Sequence, residues 1–263
     1  MTDKEAISVI YHSLFNYSLT NEEKVRWHPG NALSIAKRKK NVVDREIKRE
    51  PAFLQEKKKA IAVNAARTLS FIPSILFIGI TGSLAMNNAK RESDIDLLII
   101  TRSGTLWPTR FISVVLLLLF GFKLRRAGNR DEADKLCLNM WLDETRLDLP
   151  QMPRNAYTAH EIAQTVPLIN RDYVHERWVT LNKWIFDYWP NAIQRDAHQK
   201  PESPQTTLFD FMLNLLNPVF FYMEYWYMKP KVTRETVALS LALFHPYDWG
   251  THVISLLKKH GIK

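Results

Sequence analysis

One cysteine, Cys137, stands in 263 residues. No internal disulfide can form, and a cysteine-based zinc site is excluded. A reducing, cytoplasmic setting is expected. Glycine is scarce at 8 and proline stands at 13, which excludes collagen-like and linker-dominated chains. Met1 to Glu5 is polar and acidic and no long apolar stretch follows closely, so no secretory signal is expected. The longest apolar run, Phe111 to Phe122, is 12 residues between Arg110 and Lys123. As a helix it reaches roughly 18 Å against the roughly 30 Å of a hydrocarbon core, so it reads as a buried core helix and no membrane is expected. The eight histidines show no metal spacing, and His175 and His198 stand alone. Ser83 lacks the G-x-S-x-G surroundings of a hydrolase nucleophile. What is present is 46% apolar content with eight Trp, enough for a sizeable core and against disorder.

The net charge is +9, and most of it is N-terminal: residues 1–75 carry 14 basic and 8 acidic side chains. It centres on Lys37-Arg38-Lys39-Lys40, Arg45, Lys48-Arg49 and Lys57-Lys58-Lys59. Such a run can neutralise phosphates. The plainer reading is the solvated face of a helix, with Asp44, Glu46, Glu50 and Glu56 as local partners. No aromatic interrupts Lys37–Arg49, which speaks against a single-strand stacking surface.

Three regions follow one another without internal repeat. Residues 1–70 form a basic helical region, with Ile7, Ile10, Tyr11 and Leu14 on one face and capping-box spacing at Thr20 and Glu23. It reads as an incomplete winged-helix-like unit. Residues 71–150 form an α/β core: strand Ile75–Ile80, a turn at Thr81-Gly82-Ser83, strand Ile95–Thr101, the apolar helix, and strand Leu136–Leu142. Residues 151–263 read as helices over Thr158–Val166, Tyr173–Trp189, Leu208–Met228 and Arg234–Phe244. Breaks fall at Pro190 and at Gln199–Gln205, and His245-Pro246-Tyr247-Asp248 is read as a structural turn. Trp178, Trp184, Trp189, Phe220, Phe221, Tyr225 and Trp226 are assigned to core packing.

The chemistry concentrates in residues 82–97. Asp94 and Asp96 are two apart at the start of an apolar strand, so both carboxylates share one face. Two such carboxylates repel unless a cation lies between them, and hard oxygen ligands suit Mg²⁺. Gly82 permits close backbone approach, and Ser83 with the amides of a following helix can hold phosphate oxygens. A phosphate grip beside a metal-holding strand fits in-line displacement at phosphorus. The plainer alternative makes Asp94 a cap and Asp96 a solvent-facing strand residue. Arg102, Arg110 and Lys135 are candidates for triphosphate contact or for surface ion pairs.

Gly82-Ser83, ten intervening residues, then Asp94-Ile95-Asp96 on an apolar strand resembles the signature of the DNA-polymerase-β-like nucleotidyltransferases, in the spacing of their minimal group. A weaker resemblance to an uncharacterised bacterial and archaeal branch extends through Leu106–Arg110, Cys137–Leu142, Leu181–Trp184 and Tyr188–Asn191. The resemblance implies an α+β core with a mixed sheet, flanked by N-terminal helices and a C-terminal helical region. It implies two Mg²⁺ on Asp94 and Asp96 and nucleotide phosphates on Gly82 and Ser83. It implies an NTP donor, ATP first, and an acceptor hydroxyl on a small molecule, an RNA or tRNA end, or a protein. An oligomer is compatible with it.

The chain departs from the family pattern in two places. Asn87 stands where glycine is frequent, and Asn tolerates left-handed geometry. The third carboxylate, expected on a later strand, falls at Asn139, which cannot act as a base, or at Asp143 beyond it. Two readings of other classes are a non-catalytic nucleic-acid-binding or regulatory protein that reuses the fold, and an antitoxin-like partner that modifies a toxin.

Overall fold

The computed structural model describes residues 2–36, 49–125, 132–150, 152–193, 207–229, 235–244 and 248–263. Lys37–Lys40, Arg45, Lys48, His198, Gln199–Gln205 and His245–Tyr247 lie outside the described residues.

The centre is a six-stranded mixed sheet in the order β4-β1-β2-β3-β6-β5. Strands β1 (Ile75–Ile80) and β2 (Ile95–Thr101) are antiparallel neighbours. Strand β3 (Leu136–Asp143) lies parallel to β2, reached through the crossover helix α5 (Leu106–Leu119). Strand β4 (Val166–Asn170) closes one edge against β1, where Pro167 needs no sheet donor on its outer side. The hairpin β5 (Thr236–Ala238) and β6 (Leu241–Leu243) closes the other edge through β6 on β3. β1 and β2 are apolar almost throughout because both sheet faces are covered.

One face packs under α1 (Asp3–Ser13), α6 (Ala156–Gln164), α7 (Val174–Leu181), α8 (Ile185–Tyr188) and α10 (Trp249–Lys259). Its core joins Ile7 and Tyr11 of α1 to Leu98 and Ile100 of β2 and to Trp178 and Trp189. The N-terminal helices α1 and α2 (Asn21–Arg26) therefore border the same core as the sheet. Both start with a complete capping box, on Thr2 and Thr20. The other face packs under α3 (Ala52–Leu69) and α5, with Ile95, Leu97 and Ile99 turned toward them. The helix α9 (Leu208–Met228) lies on α5.

Four sequence expectations are corrected. Residues 236–243 are a hairpin, not a helix: Thr236 and Val237 are β-branched, Leu239-Ser240 is a two-residue turn, and β3 offers a free edge. β4 interrupts the helical run expected after Tyr157, so the C-terminal region supplies three strands of the sheet as well as its helices. The run Phe111–Phe122 is buried on one face only, since Phe111, Leu118, Leu119 and Phe120 are exposed. Trp226 is exposed rather than in the core, whereas Trp178 and Trp189 are buried. Asn87 takes the left-handed conformation at φ 54°, as a turn with Asn in place of Gly requires.

Candidate active site

The site lies where β1 ends and β2 begins. Thr81 N–H donates to the Asp96 carbonyl at 3.0 Å, so the β1–β2 ladder runs to the turn itself. The chain then enters the one-turn helix α4 (Gly82–Ala85) with Gly82 at φ 62°. A Cβ at Gly82 would lie 2.5 Å from Asp96 Oδ2. Glycine is required twice over, for the left-handed backbone and for the carboxylate pressed against it.

On the neighbouring strand, Asp96 pairs in register with Cys137. Donor atoms of Asp94, Asp96 and Cys137 all lie within 4.8 Å of one another. Asn139 Nδ2 donates to Asp96 Oδ1 at 2.8 Å, while Asn139 Oδ1 is buried without a hydrogen-bond partner. Arg125 Nη1 donates to Asp94 Oδ2 at 2.9 Å and approaches Cys137 Sγ at 3.6 Å, and its Nη2 meets Glu132 at 2.7 Å. A cation already stands against Asp94, as the repulsion between the two carboxylates demands. Burial, and then the charge of Asp94, pushes the Asp96 carboxyl up to about 7. Burial and the two carboxylates push the Cys137 thiol well above its usual value.

This donor set fits a hard divalent cation. Two carboxylates and an unpartnered amide oxygen are oxygen ligands, and a thiol held protonated is a poor one. Asp94 and Asp96 are the residues that would hold it, with Asn139 Oδ1 beside them. The exclusion of a zinc site built on cysteines stands beside a finding it does not cover: the lone Cys137 forms one wall of the carboxylate cluster.

The cluster opens into a cavity of about 600 Å³ that Gly82, Ser83, Arg125 and Asn139 line on the sheet side. Tyr157, His160, Glu161 and Gln164 of α6 face them. Glu161 accepts from Gln164 Nε2 at 2.8 Å, and burial followed by the Asp96 charge pushes its carboxyl up to about 8. Behind it, His12 Nε2 and His160 Nε2 are 3.1 Å apart. His12 Nδ1 donates to the Ser8 carbonyl at 2.8 Å, leaving Nε2 to accept from His160. Burial holds both imidazoles neutral, His12 at about 4 and His160 well below its usual value. Trp27 stacks on His160 at 4.0 Å.

The other sequence candidates lie elsewhere. Asp143 pairs with Thr101 at the far end of β2, six residues and roughly 20 Å along β3 from Cys137. It is buried and engaged by loop donors, accepting from Gly104 N at 3.0 Å and Thr145 N at 2.8 Å, and so ties two loops. Arg102 pairs with Asp172 at 3.1 Å and Asp210 at 3.3 Å, and Arg110 pairs with Glu224. Neither lines the cavity. Lys57 and Lys58 both bind Asp134, at 2.5 and 2.9 Å, and Lys58 is fully buried with its ammonium also on the Ser93 carbonyl at 2.6 Å. These contacts fasten α3 to the turn before Asp94, with Lys57 still more than half exposed. Arg49 is likewise engaged, by Glu23 at 2.6 Å.

Glu161, Arg125 and the His12–His160 pair are what the sequence alone did not mark. Glu161 is a lone acidic residue in a helix, and its meaning comes from packing across 65 residues from Asp96. A signal did exist for α6: it is a short helix whose apolar stripe is broken by His160-Glu161.

Residues 63–137 match the family model described as a nucleotidyltransferase domain. The matched segment begins in α3, spans Gly82, Ser83, Asp94 and Asp96, and ends at Cys137. The match is consistent with the polymerase-β-like superfamily, and the mixed sheet agrees with a nucleotidyltransferase core. The domain supports transfer of a nucleoside monophosphate in general terms. No curated protein matches the chain. Among the described residues, no helix is long and apolar enough to cross a membrane.

Proposed function

We propose that this protein is a Mg²⁺-dependent nucleotidyltransferase that moves NMP from an NTP, ATP first, onto an acceptor hydroxyl and releases pyrophosphate. The observation that carries the reading is the meeting of Asp94, Asp96 and the Gly82-Ser83 turn at the mouth of one cavity. When bound at Asp94 and Asp96, Mg²⁺ would supply charge neutralisation for the phosphates and polarise the reacting phosphoryl group. Gly82 and Ser83 receive the β- and γ-phosphates, with backbone amides that the glycine leaves unobstructed. Arg125, which borders the same cavity, takes a phosphate oxygen in place of the roles expected of Arg102 and Arg110.

Glu161 supplies the base that Asn139 cannot be. It faces the carboxylate cluster across the cavity, and a cation bound at Asp94 and Asp96 would offset the Asp96 charge that helps keep it protonated, leaving it ionised to take a proton from an acceptor hydroxyl. In that step the acceptor oxygen bonds to the α-phosphorus, the bond to the β-phosphate oxygen breaks, and the proton passes to Glu161. Asn139 keeps Asp96 oriented through its 2.8 Å hydrogen bond. The acceptor, whether a small molecule, an RNA end or a protein side chain, enters between α6 and the sheet.

Pyrophosphate release from each NTP with Mg²⁺, with and without total cellular RNA, tests the reading. Release is expected to require both aspartates and to vanish in Asp94→Ala/Asp96→Ala. NTP binding without release would instead favour the binding-module reading, with Asn139 as the defect.

A further inference from the structure

The outer face of α9 carries an apolar seam that nothing among the described residues covers. Leu208, Met212, Leu215, Val219, Tyr222 and Trp226 recur at alternating steps of four and three and are 56–78% exposed. The opposite face holds Leu213 and Asn217, both buried against the rest of the chain, and Asn217 Oδ1 accepts from the Trp107 backbone N–H at 2.9 Å. That bond fastens α9 to the first turn of α5. Val115, Leu118 and Leu119 of α5 extend the exposed apolar surface alongside.

A strict three–four alternation is the pattern of one helix packed along another. All six side chains are more than half exposed, and Phe211 and Tyr227 are exposed beside them, a larger apolar patch than an ordinary monomer carries. No Lys or Arg occurs from Leu208 to Met228. The two acidic residues there face inward, Asp210 toward Arg102 and Glu224 toward Arg110. A helix lying on an anionic bilayer needs basic residues beside its apolar stripe, and this one has none. The same lack of charge lets two identical faces meet without repulsion.

The seam is also self-complementary when reversed. Antiparallel packing about a two-fold axis near position 217 sets Leu208 against Trp226, Met212 against Tyr222 and Leu215 against Val219 of the second copy. Each outer layer then joins an aliphatic side chain to a ring, and the central layer joins two small branched ones, so the layers fill evenly. We propose that α9 is the interface of a two-fold homodimer, packed antiparallel on α9 of a second copy, with the two α5 helices flanking it.

Light scattering after size exclusion on the full chain tests this. The expected mass is twice the 30.7 kDa of one chain. Leu215→Glu places a charge in the central layer and is expected to weaken dimerisation by about 100-fold or more, with the circular dichroism unchanged. Adding Val219→Lys to it restores the dimer, because residue 215 of one copy meets residue 219 of the other. Trp226→Ser, at the end of the seam, serves as a second probe should Leu215→Glu fail to fold. A monomer at 50 μM (about the concentration of a routine run), a dimer indifferent to both substitutions, or capture of the monomer by phosphatidylglycerol vesicles each overturns the proposal.

Discussion

The two ends of the β2–β3 pair hold the same kinds of side chain in opposite states. At the entrance, Asp94, Asp96 and Arg125 border a cavity, Asn139 Oδ1 has no partner, and two carboxyls are held toward their neutral forms. At the exit, away from the cavity, Asp143 is held by loop donors and Arg102 forms ion pairs with Asp172 and Asp210. A buried carboxylate held by loop donors fastens a fold, whereas one crowded against another carboxylate at a cavity attracts a cation. Residue type does not separate the two ends; access to the cavity does.

Substitution at each end should therefore damage a different property. Asp96→Asn is expected to lower NMP transfer by roughly 10³-fold or more, with thermal stability held or raised, because a crowded buried charge is removed. A transfer rate near wild type would sink the assignment. Glu161→Gln should cost about 10²-fold in kcat, with nucleotide affinity, measured by calorimetry, unchanged. An equal loss of affinity would make Glu161 a nucleotide contact instead. Asp143→Asn reverses the pattern: about 1–3 kcal/mol of stability is lost in urea titration, while kcat per folded molecule stays constant. If activity fell without a shift in the midpoint, the exit end would be more than a fastening.

Asn139→Asp sharpens the comparison from the entrance side. A third carboxylate should lower the melting temperature by a few degrees without divalent cation and enlarge the gain on adding Mg²⁺. A smaller gain than wild type would show that position 139 does not face the cation. The smallest effect concerns pH. His12 binds its proton less readily folded, at about 4, than unfolded, near 6.5. Its contribution to stability is full above pH 6.5 and is lost as pH falls toward 4. Urea midpoints at pH 7, 5.5 and 4.5 should fall in that order, and His12→Gln should flatten the slope.

Much of the entrance was legible in the sequence, because it is made of near neighbours. The Gly82-Ser83 turn and Asp94-Ile95-Asp96 sit within 15 residues, and alternation along a strand fixes which way they point. The three core strands were legible for the same reason, as apolar runs bounded by turns. What was hidden depends on distant pairing. β5 and β6 are three residues each and exist only because β3 offers an edge. Glu161 gains its proposed role from the cavity that α6 shares with the start of β2. Lys58 reads as one of three surface lysines until Asp134 and the Ser93 carbonyl enclose it. Trp226 has the composition of a core residue and the position of a surface one.

Gly82 and Asp96 occupy one shared volume, since any Cβ at 82 would meet the carboxylate at 2.5 Å. For a diverging lineage the two positions behave as a single character. Losing the acid at 96 relieves only the contact, because the left-handed backbone at φ 62° still favours glycine, so a side chain at 82 marks a descendant in which both the carboxylate and the turn have changed.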